Sequence, residues 1–167
     1  MAATLQFWGG LVLAALVANP ASPVDRTPEL RARFEHETNP AHKAKLMQKL
    51  GAAEFKDIEK DVANSQFASA ADLLHQYRNE VELCSKELDA TGVNAEKKPD
   101  GFKQLQISVR ESLERVDRLI STMTADQQVP LRADRNRLEE LNSHLLQELF
   151  PRAPNRRLRD RYHIPIP

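Results

Sequence analysis

The 167-residue chain holds 24 Lys and Arg against 24 Asp and Glu, and is 41% hydrophobic but only 5% aromatic. Leu, Ala, Glu, Lys, Arg and Gln dominate, residues that lose little on entering a helix, so the composition points to one all-α domain large enough to bury most of its apolar surface. The charge excludes a nucleic-acid-binding domain: Arg152, Arg156, Arg157, Arg159 and Arg161 fall after Phe150 with Asp160 as the one acid there, which leaves 19 bases against 23 acids in the body and no basic footprint on it.

Leu5–Ala18 is an uncharged apolar run of 14 residues followed by Asn19, Pro20, Ala21, Ser22 and Pro23. A bilayer-spanning helix needs roughly 20 apolar residues, whereas a short apolar run with a small-residue break is the pattern of a secretory signal. No Lys or Arg precedes Leu5, which departs from that pattern. An uncleaved anchor and a buried core helix are the other two readings of the same residues. Segment 1–22 is therefore set apart as a signal peptide or N-terminal anchor, and the protein is expected to be exported, periplasmic or envelope-associated. The leader has no cysteine, so a lipoprotein anchor is ruled out.

The helical body is expected over 25–150. Thr27-Pro28-Glu29 supplies an N-cap, a proline at the first helical position and an acid in the first turn, opening a short helix that must stop before Asn39-Pro40. Asn39-Pro40 repeats the start signal for a longer helix to Ala63, with Leu46, Met47, Leu50, Ala53, Ile58 and Val62 as its stripe and Gly51 as a weak spot. After Asn64-Ser65, the residues Phe67, Ala70, Leu74, Tyr77, Val81, Cys84 and Leu88 recur at alternating spacings of 3 and 4, a helix face that ends at Gly92. Val93–Gly101 reads as a turn-rich linker. Phe102, Leu105, Val109, Leu113, Val116, Ile120 and Met123 predict the next helix. Thr124 with Gln127 suits a capping box for the next helix; Pro130 complicates that start, so the firm part of the last helix is Leu131 to Phe150, on Leu131, Leu138, Leu141, Leu145 and Leu149. The expected fold is all-α: antiparallel helical hairpins forming a bundle of about four main helices, with a short extra N-terminal helix.

Two resemblances accompany this reading. Ala63-Asn64-Ser65-Gln66-Phe67-Ala68-Ser69-Ala70 with Leu73-Leu74, inside Phe55–Tyr77, resembles the middle of a tetratricopeptide hairpin, in which an aromatic and then an alanine let two helices approach closely. The Trp-x-x-Leu-Gly opening, the closing proline and a second copy at a period of about 34 are missing, so the resemblance implies a hairpin and not a repeat array. The body, through Lys97-Lys98-Pro99-Asp100-Gly101-Phe102-Lys103, Arg110-Glu111-Ser112-Leu113 and Leu149-Phe150-Pro151, resembles uncharacterised exported helical proteins of acidobacterial type. That resemblance implies no activity and no catalytic residue.

The chemistry-bearing residues are dispersed. No two of His36, His42, His75, His144 and His163 have the i, i+4 spacing of a zinc-protease helix, and Glu35, His36 and Glu37 are adjacent residues that point apart on a helix. There is no nucleophile elbow, glycine-rich phosphate loop or Cys-x-x-Cys. Cys84, the one cysteine, falls in an apolar seam and is expected to be a buried, inert thiol. Carboxylates such as Glu54, Asp57, Glu59, Asp61, Glu80, Glu82 and Glu87 alternate with Lys56, Lys60, Arg78 and Lys86, which reads as solvated faces with i, i+4 pairs. No catalytic residue, metal ligand or cofactor is therefore expected, and the protein is read as a non-enzymatic exported interaction or scaffold protein of the cell envelope. A small-ligand or metal-binding bundle is the competing reading. The tail 151–167 is Pro/Arg-rich and expected to be extended. Its five arginines are the expected contact for a partner, either another protein or an anionic envelope component. Membrane contact, where it occurs, is expected through the N-terminal segment or this tail.

Overall fold

A computed structural model describes residues 27–151. The leader 1–22 and the tail arginines 152, 156, 157, 159 and 161 lie outside the described residues, and so do the expectations placed on them. Five helices follow in order: α1 Thr27–His36, α2 Pro40–Ala63, α3 Phe67–Ala90, α4 Phe102–Ser121 and α5 Ala125–Leu149. The fold is all-α, with α2 to α5 in antiparallel hairpins and α1 as the short addition.

Local chemistry sets the boundaries. Asn39 holds an extended backbone and its side-chain oxygen accepts from the His42 backbone N–H at 3.1 Å, while Pro40 occupies the first turn of α2, where no donor is needed. Ser65 turns the chain between α2 and α3 at φ 60°. Gly101 enters α4 at φ +87°, and its N–H donates to Gln104 Oε1 at 2.8 Å.

The hairpins stack like on like. A Cβ on Gly101, at the head of α4, would meet Ala41 at the head of α2, and farther along Arg115 of α4 donates to Glu59 of α2 at 2.8 Å. These helices therefore run side by side in one direction. Arg78–Asp134, Glu82–Arg137 and Asp89–His144, each 2.9 Å, join α3 to α5 in the same sense. One core draws on all five helices, from Phe34 of α1 through Phe55, Tyr77 and Val109 to Leu145 of α5.

Gly51 is not the weak spot its intrinsic propensity suggests. A Cβ there would lie 2.6 Å from the Tyr77 ring, so the bare backbone is what admits that ring to the α2–α3 seam. The last helix covers its firm part from Leu131 and extends back to the capping box of Thr124 and Gln127, so α5 begins at Ala125 and carries Pro130 inside. The Thr124 N–H donates to Gln127 Oε1 at 3.0 Å, and Gln128 Nε2 donates to the carbonyls of Ile120 and Met123 at 3.0 Å each. Side-chain bonds thus anchor the first turn that the proline would otherwise weaken.

Candidate functional site

Two features outside the apolar seam carry chemistry, and both involve α1. The first is a buried acid cluster. Glu54 of α2 is 3% exposed and Glu80 of α3 is also largely covered, 15% by side chain. Arg31 of α1 spans them, its Nη2 2.5 Å from Glu54 Oε1 and its Nη1 3.5 Å from Glu80 Oε1. The Oε2 atoms of both acids are buried and meet no donor. Burial, then the charge of Glu80, push the Glu54 carboxyl up to about 8; burial also raises Glu80, against the lowering influence of Arg31.

The second is an open cleft of about 470 Å³ between α1 and α2. Arg33 and His36 project from one face of α1, Glu37 follows directly after it, and His42, Lys45, Leu46 and Lys49 project from one face of α2, at the spacing that aligns residues along a helix. Glu37 is the one acid in the lining; it accepts from the Asn39 N–H at 2.8 Å and lies 4.0 Å from His42. Arg33, Lys45 and Lys49 make no ion pair among the described residues. The cleft is a concentration of uncompensated positive charge on a body whose acids outnumber its bases.

Other charged side chains join helices to one another. Lys43, 7% exposed, donates to Glu87 at 2.8 Å and stands 5.3 Å above the Phe34 ring, so it ties α1, α2 and α3 together. Glu82 accepts from Arg137 at 2.9 Å and pairs with Lys86 at 3.2 Å, and these bonds hold its carboxyl down at about 2. A second, smaller opening of about 190 Å³ lies along this ladder, lined by Ser85, Asp89, Arg137 and His144 among others. The expectation of solvated faces with i, i+4 pairs holds where Glu82 pairs with Arg78 and Lys86, and is corrected at Glu54; pairs between helices add to it. Glu54 is in the interior, and Glu59, Glu82 and Asp134 bond to arginines of a different helix.

The structure disperses the histidines. His36 and His42 meet at the cleft, His75 approaches Asp134 at 3.2 Å, and His144 pairs with Asp89. Among the described residues no three His, Cys, Asp or Glu converge as a metal site. Cys84 is fully buried, and burial, then the charge of Glu87, push its thiol up to about 12. The thiolate is the reactive form, so labelling of the folded protein by a thiol reagent at pH 8 is expected to run at least a hundredfold slower than in denaturant. Equal rates would remove Cys84 from the seam.

No protein-family model, curated protein or solved structure matches the chain. Sequence reading missed Arg31, Glu54 and Glu80 as a group, and the cleft as well. The available signal was a gap: Met47, Leu50 and Ile58 leave position 54 on the inner face of α2, and the residue there is acidic. For the cleft it was the i, i+3, i+7 run of bases at 42, 45 and 49.

Proposed function

We propose that the chain is a non-enzymatic helical interaction or scaffold protein of the cell envelope that holds an acidic segment of a partner protein between α1 and α2. The observation that carries this reading is the cleft itself, where Arg33, Lys45 and Lys49 line one opening and make no ion pair among the described residues. The bases of α2 follow one line along the helix, and Leu46, half-buried between them, offers an apolar floor to an extended segment. Placement outside the cytoplasm rests on the apolar run Leu5–Ala18 and the small-residue break after it.

The test is the anisotropy of a fluorescent oligoglutamate peptide titrated with the protein at low salt. Binding is expected to weaken steeply as ionic strength approaches 0.15 M, where the Debye length is about 8 Å. Lys45→Glu with Lys49→Glu should weaken it at least tenfold, about 1.4 kcal/mol. If this double variant binds as the parent does, the cleft is not the contact. Loss only on deletion of 152–167 would transfer it to Arg152, Arg156, Arg157, Arg159 and Arg161. Preference for anionic vesicles over the peptide would make the partner a membrane surface.

A further inference from the structure

We propose that Glu54 and Glu80 share one proton, that this proton latches α1 to the α2–α3 hairpin through Arg31, and that its loss opens the cleft; the last step rests on the reading of the cleft given above. The argument begins with a shortage of donors. Arg31 meets one oxygen of each acid, Glu54 Oε1 and Glu80 Oε1, and the other oxygen of each is buried without a donor. A buried acceptor left unmade costs about 1–3 kcal/mol, and more when charged. Two carboxylates against one guanidinium also leave one negative charge uncompensated in the interior. A single proton held between the two Oε2 atoms removes both deficits, because the protonated acid donates to the ionised one.

The groups around the pair do not supply an alternative. From α1 come Arg31 and Glu35, from α2 Glu54 and Asp57, and from α3 Tyr77, Gln76 and Glu80. Glu35 and Asp57 add negative charge, Tyr77 directs its hydroxyl to Ser112, and Gln76 donates to Glu80 Oε1. Lys43, three turns before Glu54 on the same face of α2, is held by Glu87. The raised carboxyl of Glu54, about 8, agrees with a proton retained at neutral pH.

α1 is the element free to respond. It has ten residues, fewer than an isolated helix needs to persist, and its backbone packs against α2 alone. Phe34 and Leu30 hold it by apolar contact, and Arg31 holds it by charge. Without the shared proton, two negative charges face each other beneath α1, and lifting the helix returns both to water. The same helix carries Arg33 and His36, one wall of the cleft, so its departure dismantles the partner site.

Amide exchange of Leu30 to Phe34 in the full-length protein, converted to protection factors from pH 6 to 9, tests the latch. One proton released per opening makes the opening constant rise about tenfold per pH unit up to pH 8 and level off above it. Glu54→Gln is expected to keep α1 docked and abolish this slope, because the amide donates to Glu80 in the proton's place. Glu80→Gln, which donates in the opposite direction, is the second variant should the first fail to fold. A flat protection profile in the parent, or the parental slope in a folded Gln variant, overturns the latch. Oligoglutamate affinity measured alongside separates the two readings: it should fall over this range in the parent and not in Glu54→Gln. If the exchange behaves as described while the peptide ignores pH, the latch stands and the cleft is not the partner site.

Discussion

Tyr77→Ala is expected to cost about 3–5 kcal/mol of folding stability, as aromatic-to-alanine changes in a closed core do. The ring is wholly buried, stands edge-on to Phe55 with centroids 5.1 Å apart, and lies over the bare backbone of Gly51. Its hydroxyl exchanges hydrogen bonds with Ser112 at 2.6 Å and Ser108 at 3.4 Å, both on α4, so one side chain joins the two hairpins. Burial pushes the phenol up to about 12, and it remains neutral. Truncation opens a cavity where three helices meet and removes the partner of two buried serines. The melting temperature should drop by roughly 10–20 °C for a domain of this size. Tyr77→Phe keeps the ring and loses the hydrogen bonds, so about 1 kcal/mol is expected. Thermal and urea unfolding of both variants check the pair. A loss below about 1 kcal/mol for Tyr77→Ala would mean that the seam can close over the gap, contrary to the packing at Gly51.

Raising the pH from 5 to 8.5 is expected to destabilise the fold by a few kcal/mol, opposite to the usual behaviour of carboxylates. Glu54 and Glu80 are both raised from the ordinary 4.5, Glu54 to about 8. Between those values the folded chain binds more protons than the unfolded one. The stabilisation is therefore complete below 4.5 and is lost as pH rises through about 8. Glu82 works in the other direction: held near 2 by Arg137 and Lys86, it stabilises above 4.5 and loses that contribution as pH falls towards 2. Stability should thus peak on the mildly acidic side of neutrality. Release of α1 sets a ceiling on the alkaline loss, since the bundle gives up a short helix before it gives up its core. Urea denaturation at pH 5, 7 and 8.5 measures the slope, and Glu54→Gln should flatten it. Stability that is constant or rises across this range would show that the buried pair holds no proton.

Much of the fold was legible because helix stripes are local. Ala70, Leu74, Tyr77, Val81, Cys84 and Leu88 are buried as their spacing predicts, and so are Leu131, Leu138, Leu141, Leu145 and Leu149. Pro130 left the first turns of α5 open in the sequence because a proline near a helix start loses one hydrogen bond, which the side chains of Gln127 and Gln128 offset from across the turn. The acid cluster was not legible for a different reason. Arg31 and Glu54 lie 23 residues apart and reach each other only once α1 has folded back on α2. Charge alternation along one helix says which residues could face water; it does not say which neighbour will cover them. Glu82 and Arg137, 55 residues apart, show the same limit. The cleft fails in the same way, since its two walls come from helices whose approach is set by Phe34 and Lys43.

Like-on-like stacking has a kinetic side. Within each hairpin the helices are joined by short turns, at 64–66 and 122–124, so their pairing closes small loops at little entropic cost. The rungs between hairpins, Glu59–Arg115, Arg78–Asp134 and Glu82–Arg137, join residues 55 or 56 positions apart. Contacts of short span are made early and those of long span late. The folding rate is therefore expected to depend less on the turns within each hairpin than on bringing the two hairpins together.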